Sequence, residues 1–85
     1  MNAYPNPFAN RSTISFYLEN EQNVEFTFFN QEGRVVYNIN QYFDAGMNSI
    51  QIDSDQIFDR TASGLIYYKM IADQGVDGGK LILIR

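Results

Sequence analysis

Residues 12–18 read Ser12-Thr13-Ile14-Ser15-Phe16-Tyr17-Leu18. Ile14, Phe16 and Leu18 alternate with polar or amphipathic residues, and a two-residue period is the mark of a strand with one buried face. The next apolar stretch repeats it: in residues 23–29, NVEFTFF, Val24, Phe26 and Phe28 fall on one side and Glu25, Thr27 and Phe29 on the other. Between them lies the polar loop of residues 19–22. Asn30-Gln31-Glu32-Gly33 then makes a turn, with Gly33 placed for the left-handed backbone of a bulged hairpin.

The same period continues. Residues 34–40, RVVYNIN, put Val35, Tyr37 and Ile39 on one face, and residues 48–53, NSIQID, bury Ile50 and Ile52. Residues 41–47 read as a loop, and residues 54–63 as an irregular connection holding at most one helical turn, with Ile57 and Phe58 plugging the core. In residues 65–72, LIYYKMIA, Lys69 sets the parity: Ile66, Tyr68, Met70 and Ala72 point inward, leaving Leu65, Tyr67 and Ile71 outward. Residues 74–79, QGVDGG, read as glycine-rich turn material, and residues 80–84, KLILI, as the last strand, whose facing the pattern leaves open. Pro5 and Pro7 cannot donate to a ladder, so residues 1–11 form an extended arm at an edge, tacked down by Phe8 with Tyr4 as a second anchor. Six or seven short strands with regular turn signals and no helical stripe make an all-β antiparallel β-sandwich, whose strand order stays open.

Composition narrows the function. The chain has 85 residues, room for one small domain. It has no Cys and no His, so disulfides, thiol chemistry and imidazole catalysis are excluded. Ten acidic against six basic residues, net charge −4, argue against nucleic acid, which needs Lys and Arg for its phosphates. No apolar run is long enough for a membrane helix, and the first residues lack the charged and apolar regions of a signal peptide. A chain this small with no active-site chemistry is expected to be a module of a longer secreted protein.

The candidate sites mostly favour structural readings. Asp53, Asp55 and Asp59 share a loop but lack the glycine and closing glutamate of a calcium loop. Asp44-Ala45-Gly46 and Asp77-Gly78-Gly79 are turn chemistry. Neither Lys69 nor Lys80 sits in a serine–lysine motif, and nothing indicates a cleft for paired carboxylates, so no catalytic, metal or cofactor residues are assigned. Tyr17, Phe29, Tyr37, Tyr42, Phe43 and Tyr67 could stack on sugars, which keeps an accessory or carbohydrate-binding module of an extracellular enzyme as the alternative function. The terminal apolar strand, flanked by Lys80 and Arg85 on an acidic chain, reads as an addressable end whose edge would offer unpaired backbone groups to a partner.

Four stretches, in order, carry a resemblance: Tyr4-Pro5-Asn6-Pro7-Phe8, Gly33-Arg34-Val35-Val36, Ala45-Gly46-Met47-Asn48, and Ala62-Ser63-Gly64-Leu65-Ile66-Tyr67-Tyr68-Lys69, followed by the Lys80-to-Arg85 strand. Together they resemble the type A C-terminal sorting domain of the type IX (Por) secretion system of Bacteroidetes, over essentially the whole chain. The chain departs from that pattern in Leu65-Ile66, where Val-Tyr is common, and in a terminal Arg85 where lysine is common. A sister pattern, the flagellar-hook-cap-like immunoglobulin module, carries Trp-Asp-Gly where this chain has Ile52-Asp53-Ser54.

The resemblance implies an immunoglobulin-like sandwich and a non-catalytic signal, requiring no cofactor, at the end of a cargo protein. The cargo reaches the periplasm and crosses the outer membrane through the type IX translocon. A sortase-like peptidase then removes the domain, and the cargo stays at the cell surface or is released. The resemblance places the sorting signal on Gly64, Lys69, Lys80, Leu81, Ile82, Leu83, Ile84 and Arg85. The outward row Leu65, Tyr67 and Ile71 is a further contact surface, for the translocon or for a second copy in a weak homodimer.

Overall fold

The computed structural model describes residues 1–58 and 64–84, the side chain of Phe58 excepted. Seven strands form two antiparallel sheets. The strands are β1 (Asn2–Tyr4), β2 (Arg11–Leu18), β3 (Gln22–Phe29), β4 (Val35–Phe43), β5 (Gly46–Asp53), β6 (Leu65–Ala72) and β7 (Gly75–Ile82), with the helical turn α1 (Ser54–Phe58) between β5 and β6. One sheet has the order β1-β2-β5 and the other β4-β3-β6-β7. This is the Greek-key connectivity of immunoglobulin-like sandwiches, with the fourth strand on the larger sheet.

The alternation read from the sequence is the alternation of burial. Ile14, Phe16 and Leu18 of β2 face Val24, Phe26 and Phe28 of β3 across the sandwich, all buried. Phe16 stands edge-on to Phe26 and to Phe43, with ring centroids 5.1 and 5.0 Å apart, the arrangement that ring quadrupoles favour. Ile57 reaches the core from α1 and is fully buried; Phe58, expected to join it, lies outside the described side chains. Ile66, Tyr68 and Met70 point inward, and Tyr67 and Ile71 outward, as Lys69 indicates.

The Asn30 turn forms as read. Asn30 Oδ1 accepts from the amides of Glu32 and Arg34, and Gly33 has φ 83°. The hairpin then departs from simple alternation. A bulge between Phe28 and Phe29 pairs Phe28 with Tyr37 but Phe29 with Val35. The extra residue, Val36, is therefore buried, while Val35 turns out to solvent, off the face it was expected to share with Tyr37 and Ile39. Strands also run further than read: β4 and β5 absorb most of residues 41–47, leaving only Asp44 and Ala45 between them.

The larger correction concerns residues 74–79. Apart from Gln74 they belong to β7, and the turn is only Asp73 and Gln74 with Gly75 at φ 136°. Glycine is tolerated here because β7 is the last strand of its sheet and its inner space is filled by a neighbour. A Cβ on Gly79 would lie 2.7 Å from the Tyr68 hydroxyl, so the Tyr68 ring occupies the volume a side chain would take. One end of the sandwich is tied by glutamines: Gln22 Oε1 accepts from Asp73 N at 2.6 Å, and Gln74 Nε2 donates to the Tyr17 carbonyl at 3.1 Å.

Truncating Phe26 to Ala should cost about 3–5 kcal/mol, comparable to the whole stability of a small domain. Thr27→Ala, one residue along on the outer face, should cost under about 1 kcal/mol in the same urea-unfolding series.

Candidate functional site

The terminal strand is built against β6. Lys80 pairs with Tyr67, Leu81 with Ile66, and Ile82 with Leu65. Since Ile66 points into the core and Tyr67 away from it, the open parity of the last strand is decided. Leu81 and Leu83 are buried at 0% and 4% exposure, and Ile82 and Ile84 face outward at 40% and 54%. Lys80 shares that outer side. Arg85 lies outside the described residues, as do Ala62 and Ser63 of the motif ahead of Gly64.

Both sides of this segment are held. On one side the Leu83 amide donates to the Gly64 carbonyl. The approach is so close that a Cβ on Gly64 would sit 2.6 Å from the Leu83 carbonyl oxygen, so only glycine fits without displacing backbone. On the other side stands the N-terminal arm. Its first part, β1, pairs with β2; the chain then crosses to the larger sheet, with both X-Pro bonds cis. There Phe8 forms a parallel bridge to Leu83: its amide donates to the Ile82 carbonyl at 2.8 Å, and its carbonyl accepts from the Ile84 amide at 2.7 Å. Asn6 continues the pairing with its side chain. Its Nδ2 donates to the Lys80 carbonyl, and its Oδ1 accepts from the Ile82 amide, both at 2.9 Å. The amide side chain substitutes for a peptide group between two prolines that have no N–H.

Three motifs far apart in sequence thus meet in one place: the YPNPF arm, Gly64 and the terminal strand. The expectation of an open backbone edge along the last strand is corrected, because residues 80–84 are covered by the arm. Phe8 is buried at 1% and anchors it, whereas Tyr4, at 78% exposure, does not. The Asn6 bonds escape a reading based on strand alternation, since they run through a side chain. The usable signal was the Pro-Asn-Pro spacing, which leaves an amide as the donor nearest to Phe8.

The outer faces of the two sheets differ. On the smaller sheet Thr13, Ser15, Ser49 and Gln51 make a polar middle, with the exposed pair Tyr17–Met47 at one end and Tyr4 at the other. On the larger sheet Phe29, Val35, Tyr67 and Ile82 cluster at one end, and Ile71 pairs with Val76 at the other. Lys69 lies between them, opposite Thr27, with its Nζ 5.8 Å from the centre of the Phe29 ring. The sequence-read row is therefore part of a wider apolar face: Tyr67 and Ile71 are exposed, and Leu65 is half-buried beside Ile82. Apolar area of this kind marks contact surfaces.

Among the described residues the other candidate sites do not assemble. The six aromatics considered for sugar stacking are dispersed. Phe43 is in the core, Tyr37 leans on Phe28 and takes a hydrogen bond from Gln56, Tyr17 is on the smaller sheet, Tyr42 is exposed opposite Asn23 at the far end of β4, and only Phe29 and Tyr67 stand side by side, on the larger sheet. Asp53 is engaged by Arg11 at 2.7 Å, Asp59 lies outside the described residues, and no metal-binding group of three occurs among those described.

The sequence family described as the secretion system C-terminal sorting domain matches residues 2–84. The chain belongs to that family. No curated protein and no solved structure matches it. As a sorting domain it is a signal for type IX secretion, carried as the tail of a cargo protein destined for the cell surface or the extracellular space. The family is one of sorting signals and is not known for catalysis.

Two outcomes test how the sorting domain holds its last strand. Gly64→Ala should cost about 1–3 kcal/mol, because backbone must move to admit the methyl group. Alkali should also loosen this region. Burial, then the charge of Asp77, raises the Tyr68 pKa above 10.0. A raised pKa means that the folded state holds the phenol proton more tightly. That contribution is complete below the unfolded-state value and is lost as pH climbs through the raised one. The melting temperature should be flat to about pH 9.5 and fall above it, with a smaller fall in Tyr68→Phe.

Proposed function

We propose that the export machinery reads this sorting domain from the outer face of the β6–β7 pair and the terminal residues that extend it. In this reading Lys80, Ile82, Ile84 and Arg85 make contact with the translocon, and Leu65, Tyr67, Lys69 and Ile71 enlarge the surface. Leu81 and Leu83 do not touch the partner. They bury against the core and hold the alternate residues outward, while Gly64 permits the close approach that fixes Leu83. The observation carrying this reading is the outward alternation of Lys80, Ile82 and Ile84 beside the exposed apolar end of the larger sheet. Lys69 and Lys80 set positive charge around that apolar area on a chain of net charge −4, so the complementary surface should carry carboxylates.

The rest of the proposal follows from the family. Residues 1–85 act as one module, with the cargo joined ahead of the arm formed by residues 1–11. The cargo passes through the periplasm, and a sortase-like peptidase removes the domain after export. The domain itself supplies no catalytic group and no cofactor; it supplies a fold and an end.

A periplasmic reporter fused to residues 1–85 in a type IX-competent host should appear at the cell surface. The same fusion lacking residues 80–85 should be retained in the cell, and unchanged export of that deletion would remove the central part of the proposal. The paired substitution Tyr67→Glu/Ile82→Glu should reduce export at least roughly tenfold with little change in melting temperature, since both positions are exposed. Unfolding of that variant would assign the row to the core instead.

A further inference from the structure

The outer edge of β7 is closed by two devices of different strength. Along residues 76–79 the closure belongs to the strand: Asp77 Oδ1 accepts from the Gly78 amide at 2.8 Å, and glycines stand at 75, 78 and 79. A short, glycine-rich stretch carrying an acidic side chain is a poor template for pairing. Along residues 80–84 the closure is borrowed. The Asn6 side chain and the Phe8 backbone make four hydrogen bonds there, to the Lys80 and Ile82 carbonyls and from the Ile82 and Ile84 amides. Pro5, Asn6 and Pro7 are exposed, so between β1 and the bridge only the Phe8 side chain is fully buried. The arm is held by the Phe8 ring and its two main-chain bonds, by the two exposed Asn6 bonds, and by the buried Ser12 hydroxyl, which donates to the Pro5 carbonyl at 2.9 Å; so short an attachment opens at lower cost than the sheet beneath it.

We propose that residues 80–84 are a strand-addition site which the YPNPF arm occupies as a displaceable pseudo-strand. Its natural occupant in trans is an extended polypeptide running parallel to β7, with a large apolar residue at the level of Leu83. The arm supplies the template for that occupant: it runs in the parallel sense, places Phe8 opposite Leu83, and matches the backbone groups of Lys80, Ile82 and Ile84. When the arm lifts, two amides and two carbonyls open together beside the cavity Phe8 has left, and main-chain pairing plus one side-chain pocket is the recognition mode of strand addition. The inference rests on the sorting reading only for the assignment of the displacing strand to the export machinery. The chain ahead of the arm would be cargo, so the same arm would link the state of the cargo junction to access at the terminal strand.

The test uses the whole chain and amide hydrogen exchange. The Leu83 amide points the other way, to Gly64, and is the internal control. In the wild type the Ile82 and Ile84 amides should exchange at least roughly tenfold faster than Leu83 and than β3 amides such as Phe26. Asn6→Ala should accelerate Ile82 by about fivefold, the loss of one ordinary hydrogen bond, with Leu83 unchanged. Phe8→Leu, a milder change than truncation, should accelerate both Ile82 and Ile84. A synthetic peptide of residues 3–11 at millimolar concentration should restore protection of Ile82 in Asn6→Ala and of both amides in Phe8→Leu, and the same peptide with Asp in place of Phe8 should not. One common exchange rate for all three amides, moving together in every variant, would overturn the displaceable arm; failure of the peptide to restore protection would overturn the strand-addition site. Both results concern the isolated chain, so they leave the export test of residues 80–85 standing on its own.

Discussion

A strand at the end of a chain stays in place only if its inner face is buried and its backbone groups are satisfied on both sides. Here that requirement is met by parts of the sequence more than fifty residues apart. Leu81 and Leu83 bury the inner face, Gly64 takes the Leu83 amide, and Asn6 and Phe8 take the groups on the opposite edge. The exclusion of any side chain at Gly64 and the crossing of the arm between sheets serve the same junction. With no disulfide to staple a small core, this joining of the arm to the terminal strand is what unites the first and last described residues of the fold.

Most of the strand architecture was legible because burial follows a period of two. STISFYL and NVEFTFF have one dominant inward parity each, and Lys69 fixed the parity of β6. The misreadings have physical causes. Val35 turned outward because a bulge adds a residue, and nothing in the local pattern of RVVYNIN distinguishes Val36 from Val35 as the extra one. Gly75, Gly78 and Gly79 looked like one turn because glycine usually marks one; only Gly75, with its positive φ, adjoins the turn, while Gly78 and Gly79 make room for the Tyr68 backbone and the Tyr68 ring. The apolar outer row was readable from parity alone, but its union with Val35, Val76 and Ile82 depends on strand order, which alternation does not encode.

The candidate site was legible in its parts and not in its assembly. Gly64, the terminal strand and YPNPF could each be singled out, yet an open edge was expected where the arm in fact lies. Long-range pairing through an asparagine side chain leaves no periodic trace. The chemistry was easier to bound: a chain without His or Cys has no imidazole or thiol, and its aromatics are split between two sheets and its core. A sorting domain fits that inventory, since it must present a surface and an end.

The most direct measurement of that account is a hydrogen-exchange footprint of the folded domain bound to purified type IX outer-membrane translocon. Protection should appear on the β6–β7 face and along residues 80–84, and the β2 and β5 amides of the smaller sheet should exchange as in the free domain. A footprint confined to the polar face of Thr13, Ser15, Ser49 and Gln51, with residues 80–84 unaffected, would contradict it.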